Sequence, residues 1–559
     1  MSQSDAIIAI TSIPQLWQEA LNDRAELPFL NIATAEDAQF LKYRARTFFR
    51  RASRIATGLT ELLGKVEGGR VAIMVDDDHD FSLLLHGVWS AGITAVPISL
   101  SFSDSVIVGL LNNSATQTVV FSFAAAARVA GLFGRLATVQ HWIVTGGSGR
   151  APIGAGIKRL DELTAGVGND PFDLELGRTA CAEGERAALL ILSGGLGGGA
   201  PHGIEFNHRQ LLQAAQNAAK VVALAAPDVA SASAAAESTV SIASLLPKRS
   251  FGGLLFSQLV PLLGGGSGVL GTEFETRDFW EQMQLNGVQC AVIDQQHLRA
   301  IVGRGKSRAF GLNAGMRIVV VPSGLAPFRL FESAVQQFNV PVVNTYFQTE
   351  AGGVITAARY HQSDLPHHST SEVSWISSTG SALPGVELIV VDQAGSELAA
   401  GLDGEIVVGS AAAMTGYRAT AVGEVFVDSG EYLHTGDTGV VVKGEGSKKA
   451  NLVVTGRALE RVVRGDQIVN LALVSAAVYE IRGVQSARVV AFENAAVGFE
   501  IGVFVVANRA AGLTEASITS SLAKLLPASH VPRVVLFGMT LPSLEVTLER
   551  FKPYAKMRF

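Results

Sequence analysis

The sequence predicts an α/β protein: a large, layered N-terminal α/β domain with a β-barrel-like appendage, followed by a small, mobile α+β C-terminal domain. Three observations carry that prediction. At 559 residues the chain is too long for one hydrophobic core. From Phe40 to Val321 it alternates short apolar runs with segments of helical period, the pattern of largely parallel sheets covered by helices. From Val386 the texture changes to short strands parted by Gly and Asp turns.

Taken in order, Phe40–Leu63 carries apolar positions at helical spacing and ends at Gly64. VAIMV (Val71–Val75) is a short apolar run of the buried parallel-strand type. Phe81–Ala91 reads as the next helix, with Gly92 closing it, and ITAVPI as the next strand. TVVF (Thr118–Phe121), WIV (Trp142–Val144), ALLIL (Ala188–Leu192) and RIVVV (Arg317–Val321) continue the series. Leu254–Gly271 is apolar but broken by Ser257, Gln258, Pro261 and glycines, so it predicts a buried helix, loop and strand and no membrane span. ELIVV, GEIVVG, EVFV and TGVVV supply the antiparallel appendage. After Gly456-Arg457, SAAVYEI predicts a helix, ARVVAF and IGVFVV strands, and Ser517–Leu526 a further helix. The predicted domains are residues 1–455 and 456–559. Ala225–Ser238, rich in Ala and Ser, reads as a surface excursion without chemistry.

Composition narrows the function classes. Hydrophobic residues at 48% and charged residues at 17% fit a globular chain. A net charge of −6 gives no electrostatic footprint for nucleic acid. The start lacks a basic segment followed by an apolar one, so no signal peptide is predicted. Cys181 and Cys290 are far apart and without metal spacing, the pattern of free thiols in a cytoplasmic protein.

The first chemical signal is LSGGLGGGAPHG (Leu192–Gly203), between an apolar strand and a helix starting near Asn207. Glycines let backbone N–H groups turn inward around an anion, although a plain linker has the same composition. It is not a GxxxxGK-S/T loop. Five further segments follow in order: VPSGLAP (Val321–Pro327), NTYFQTEAGG (Asn344–Gly353), Leu383–Tyr417, EYLHTGDTG (Glu431–Gly439) and VVTGRALERVV (Val453–Val463).

Together these six segments resemble the ordered motifs of the ANL superfamily of adenylate-forming enzymes, which holds acyl-CoA synthetases, luciferases and peptide-synthetase adenylation domains. The glycine segment resembles that family's S/T-S-G-S/T-T-G-x-P-K-G loop, and NTYFQTEAGG its Y-G-x-T-E motif. Leu383–Tyr417 is similar to the family's LPG…GEI…GY stretch, Glu431–Gly439 to its TGD motif, and Val453–Val463 to its hinge motif. The resemblance runs from about Phe40 to the C-terminus. It implies that the large domain binds ATP and a carboxylic acid. The acid attacks the α-phosphate, pyrophosphate leaves, and the acyl group passes to a thiol of CoA or of an acyl carrier protein's phosphopantetheine; an amine is a third acceptor.

The same resemblance implies roles for particular residues. Ser193, Gly194 and Gly197 would cradle phosphates, and Glu350 would hold Mg²⁺. Thr349 would donate to the α-phosphate, and Asp437 would accept from both ribose hydroxyls. Arg457 would sit at the hinge. Gly324 and Ala326 would line the adenine, with Tyr346 stacking near it. Phe347, Arg249 and Gly252 would shape the acid pocket, and the bulk of Phe347 at a usual glycine position predicts a short acid. Taken singly, Asp437 also reads as an Asx-turn residue and Glu350 as a helix cap. His208 reads as a structural hydrogen-bonder.

Four positions depart from the family pattern. His202 replaces the lysine of the phosphate loop, Leu459 the charged hinge residue and Arg249 a histidine. Leu548 replaces the C-terminal lysine, and Lys552 lies four residues further on. Losing one preorganised donor of this kind typically costs ~10²–10³ in rate. His202, Lys552 and Lys248 are the cations available to stand in. Three readings follow: a ligase using those substitutes, a scaffold that binds nucleotide without reacting, or a chain that performs only the transfer step on a pre-activated acyl-adenylate.

Overall fold

The computed structural model describes residues 10–557 except 34–39, 65–67, 148–153, 155, 168–183, 194–201, 226–239, 272–277, 305–314, 363–374, 419–425, 428–431 and 444–449. Two large mixed sheets dominate it, as the alternating apolar runs predict. In the eight-stranded sheet Arg70–Met74, Thr94–Pro97, Thr118–Ser122 and His141–Thr145 run parallel. The first three are buried almost throughout, which explains their unbroken apolar texture. In the nine-stranded sheet Ser267–Leu270, Ser241–Ser244, Cys290–Asp294, Arg317–Val321 and Val342–Gln348 are parallel neighbours, and Gly353–Tyr360 returns antiparallel.

Helices fill the space between the sheets. One core cluster joins Ile73 and Val120 of the first sheet to Val292 and Val343 of the second through Phe48, Leu85, Leu212 and Leu255. The helix His208–Leu224 starts where Asn207 Oδ1 accepts from Gln210 N at 2.8 Å and Gln210 Oε1 accepts from Asn207 N at 2.9 Å. That reciprocal cap satisfies two otherwise orphaned donors.

Val386–Val391, Asp403–Ser410, Tyr432–Lys443 and Ala450–Arg457 build the antiparallel appendage. Farther on, Val484–Asn494 and Gly498–Ala507 pair antiparallel, and Val534–Gly538 joins parallel to the latter. The helices Leu471–Tyr479 and Glu515–Leu522 contribute Val474 and Ile518 to a core beneath one face, and Leu544–Phe551 contributes Phe551 to the other.

Three expectations change. Phe40–Arg44 is a strand paired with Pro28–Ala33, and the helix begins only at Ala45. Cross-strand pairing there overrides a helical period. His202–Asn207 is a strand, not the end of a loop: it is buried throughout because it lies between Ala187–Ser193 and Gly416–Arg418. The helix expected at Ser517 begins at Glu515, where Thr514 supplies the cap.

Leu254–Gly264 is helical with one wider turn at Leu255–Leu259, and Ser267–Leu270 is a strand. No helix among the described residues is long and apolar enough to cross a membrane. Cys290 is a buried free thiol whose pKa burial pushes up to about 11; Cys181 and nearly all of Ala225–Ser238 lie outside the described residues.

Candidate functional site

The strand Val342–Gln348 ends in the turn that carries Thr349 and Glu350. Gly352 closes the turn with φ +82° and its N–H donating to Thr349 O at 2.9 Å. A Cβ there would stand 2.1 Å from Ala412 O, so the turn admits only glycine. Thr349 is half-buried, and Glu350 is 4% exposed. The hydroxyl of Tyr417 donates to Glu350 Oε1 at 3.3 Å, and Met414 N donates to Glu350 O at 2.9 Å. Burial and the neighbouring Glu350 hold the Tyr417 phenol well above its ordinary pKa.

Register puts His202 beside this pair. Tyr417 is opposite Ile204 on the neighbouring strand, and the rings of His202 and Tyr417 lie 5.2 Å apart. His202 is buried, and its Nδ1 has no hydrogen-bond partner among the described residues.

On the other side, the Tyr346 hydroxyl donates to Asp437 Oδ2 at 2.7 Å. Asp437 and Arg457 are opposite each other on paired strands, with Arg457 Nε 3.5 Å from Asp437 Oδ1. Asp437 N donates to Thr435 Oγ1 at 3.1 Å, which fixes the carboxylate's backbone. Burial raises the Asp437 pKa to about 6, against the opposing effects of Tyr346 and Arg457. The Tyr346 ring, expected near adenine, is 3% exposed.

Gly324 and Ala326 follow the strand Arg317–Val321. Gln295 Nε2 donates to Gly324 O at 2.8 Å, and Ser377 donates to Ala326 O through both N (2.9 Å) and Oγ (2.8 Å). Gly324 is exposed with φ +154°, and Ala326 is buried.

The residues assigned to the acid form a second group. A Cβ on Gly252 would lie 3.3 Å from Phe347 Cζ and 3.0 Å from Leu246 Cδ1, and one on Gly353 would lie 3.3 Å from Phe347 Cε2. The phenyl ring therefore lies against two glycines, where a smaller side chain would leave depth. Leu246, Lys248 and Arg249 line a cavity of about 580 Å³ at the carboxyl ends of strands from both large sheets, where α/β folds place ligands. Lys248 is ion-paired with the buried Asp78, so its ammonium is committed there.

Some expected residues are not brought in. Ser193 pairs by backbone with His202 at the mouth of the glycine loop, while Gly194 and Gly197 lie outside the described residues. Lys552 follows the helix Leu544–Phe551 and is exposed and ion-paired with Glu549. Leu548 and Lys552 share one helical face, ~6 Å apart along the axis. Leu548 packs against the small core around Phe504 and Phe551. Leu459 is 72% exposed. His208 is buried and neutral, its pKa pulled to about 3 by burial, and its Nδ1 accepts from Ile13 N at 3.4 Å. Tyr417, quoted in the sequence pattern without a role, is the residue the sequence reading missed, because its pairing with the strand of His202 spans more than two hundred positions.

Comparison with known proteins agrees with this architecture. The family described as AMP-binding enzyme matches residues 24–418. A 3-[(3aS,4S,7aS)-7a-methyl-1,5-dioxo-octahydro-1H-inden-4-yl]propanoyl:CoA ligase of Mycobacterium tuberculosis is 24% identical, over 92% of this chain and 94% of its own length. Sulfoacetate–CoA ligase of Cupriavidus necator is 24% identical over 64% of each chain. ATP-bound MatB from Rhodopseudomonas palustris superposes with a TM-score of 0.77 at 19% identity, covering 97% of this chain and 100% of that one.

Proposed function

Because this chain belongs to the AMP-binding enzymes, we propose that it activates a small carboxylic acid with ATP and transfers the acyl group to the thiol of coenzyme A. The observation that carries the reading is one connected cluster. His202, Tyr417 and Glu350 are in contact on one side, and Tyr346, Asp437 and Arg457 on the other, joined by the short stretch Tyr346–Glu350.

In this reading Asp437 accepts from the two ribose hydroxyls, oriented by Tyr346 and balanced by Arg457. Thr349 donates to the α-phosphate as an acid oxygen attacks phosphorus and pyrophosphate departs. The CoA sulfur then attacks the acyl carbon, and AMP leaves. Mg²⁺ fits the donor set, since that ion asks for one or two carboxylates and otherwise takes phosphate oxygens and water. Glu350, a buried carboxylate steered by Tyr417, would hold it, and the ion would offset phosphate charge.

Phe347 over Gly252 and Gly353 supports a short acid, and the small acid named in the sulfoacetate relative is of that size class. CoA is preferred over a carrier-protein phosphopantetheine because the two relatives described above are named CoA ligases. In this reading the hinge lies at 455/456, and residues 456–559 move over the nucleotide. A cytoplasmic setting is supported by the free, buried Cys290.

Pyrophosphate exchange across a panel of acids, run beside ATP binding by calorimetry, tests the reading. Exchange with a short acid is expected, and Glu350→Gln should lower it at least ~10²-fold. Nucleotide binding without exchange for any acid would identify a non-reacting scaffold instead.

A further inference from the structure

We infer that the acid carries a second anionic group, distal to the carboxylate that is adenylated, and that Arg249 receives it. This rests on the ligase reading above and names its substrate class. Arg249 lines the cavity and makes no ion pair or hydrogen bond among the described residues; its Nε and Nη2 are buried without partners. Its guanidinium lies 4.8 Å from the Phe81 ring centre, so one face is covered by an aromatic surface. Asp76, Asp78 and Asp77 act on its charge from the neighbouring loop, and Asp78 is ion-paired with Lys248. Those carboxylates balance its charge without hydrogen-bonding it among the described residues, so two buried N–H donors stay unsatisfied, a cost that the oxygens of a bound anion relieve.

The surroundings point the same way. Ser244 lines the same cavity, is 4% exposed, and its Oγ also has no hydrogen-bond partner among the described residues. Ser99, Ser101 and Ser250 add hydroxyls to a wall that also holds Asp76, Asp78, Phe102 and Leu245. Leu246 links this cavity to the acid side, because it touches both the cavity and the Gly252–Phe347 contact. The planar fork of arginine matches a carboxylate or sulfonate in a way the usual histidine does not.

The test is calorimetric titration of malonate, succinate and glutarate, each beside its half-amide, onto the full chain with a non-hydrolysable ATP analogue present. Pyrophosphate exchange is measured on the same set. At least one diacid should bind about tenfold or more tightly than its half-amide, the scale of one charge-assisted bond. Arg249→Gln should remove that preference, and Arg249→Lys should keep part of it. Equal binding of every diacid and its half-amide by the unaltered chain overturns the inference, as does a preference unchanged in Arg249→Gln. If Arg249→Gln fails to fold, the diacid ratio of the unaltered chain decides, with Ser244→Ala expected to reduce it. A diacid preference without exchange would overturn the ligase reading alone. Exchange driven by monocarboxylates with no diacid preference would overturn this inference alone.

Discussion

Asp437 sets the pH behaviour at the scale of single residues. Its pKa is raised from 3.8 to about 6, chiefly by burial. The fold thus favours the protonated acid, and ionisation opposes folding: the penalty is absent below about pH 4, grows as pH rises to about 6, and is constant above. Ribose binding asks for the opposite state, because only the carboxylate accepts from two hydroxyls while also accepting from Tyr346. Adenosine, which carries no phosphate of its own to titrate, separates these effects. Its affinity, measured by calorimetry from about pH 8 to about pH 5, should weaken as pH falls through about 6. Asp437→Asn should bind weakly with a flat profile. An unaltered chain with a flat profile across that range would remove Asp437 from the ribose site.

Among the elements, the strand His202–Asn207 matters most and was least legible. HGIEFN carries a short alternation of strand type, but the glycine run before it and the capped helix after it mask that signal. What makes it a strand is pairing on both edges, with Gly416–Arg418 more than two hundred residues away in sequence. Local pattern reports parallel, doubly buried strands well, since their apolar texture is continuous. It reports poorly a strand defined by distant partners. The site shows the same division. Thr349, Glu350, Asp437 and Arg457 stand out in ordered motifs, whereas the bonds Tyr346–Asp437 and Tyr417–Glu350 cross 91 and 67 positions and have no local trace. Arg249 was visible as a departure, but its lack of a partner was not.

The pairing of that strand has its own ionic clamp. Glu205, nearly fully buried, takes Arg70 at 2.8 Å and Arg418 at 3.0 Å, tying the strand of His202 to that of Tyr417. Glu205→Ala would leave the Arg70 guanidinium buried and uncompensated, a loss of ~3 kcal/mol or more. A shift in the urea midpoint should report it, and Glu205→Gln should lose less. A change below ~1 kcal/mol in Glu205→Ala would show that water or another group replaces the clamp.

The whole molecule raises the question of how a cation reaches the phosphates. Lys552 is ion-paired on the exposed side of the C-terminal helices, so its participation requires the small body to turn as a unit. Among the described residues, two sets of polar contacts join the bodies, beside the packing of Trp375 against the small body's core. Near the proposed hinge, Thr455 Oγ1 donates to Asp403 at 2.6 Å, Arg461 pairs with the same carboxylate, and Asn470 Nδ2 donates to Thr455 O at 2.9 Å. Farther off, the Arg299 guanidinium lies 4.7 Å from the Tyr479 ring centre, and Arg329 stands 3.9 Å from Glu480. The second set is thin and partly exposed, which suits a surface that parts and re-forms. Gly456 lies between the bodies with φ +151°, where a Cβ would meet Asn470 Oδ1 at 2.8 Å and Ala472 Cβ at 3.0 Å. Gly456→Ala therefore disfavours this arrangement through strain and a clash, while leaving Asp437 in its strand. Adenosine affinity should change less than about twofold, whereas the ratio of pyrophosphate exchange to CoA-dependent turnover should shift about tenfold or more if Lys552 serves adenylation alone. If that ratio stays the same while the variant folds normally, the turn is not made at Gly456, and Lys552 has no route to the nucleotide through it.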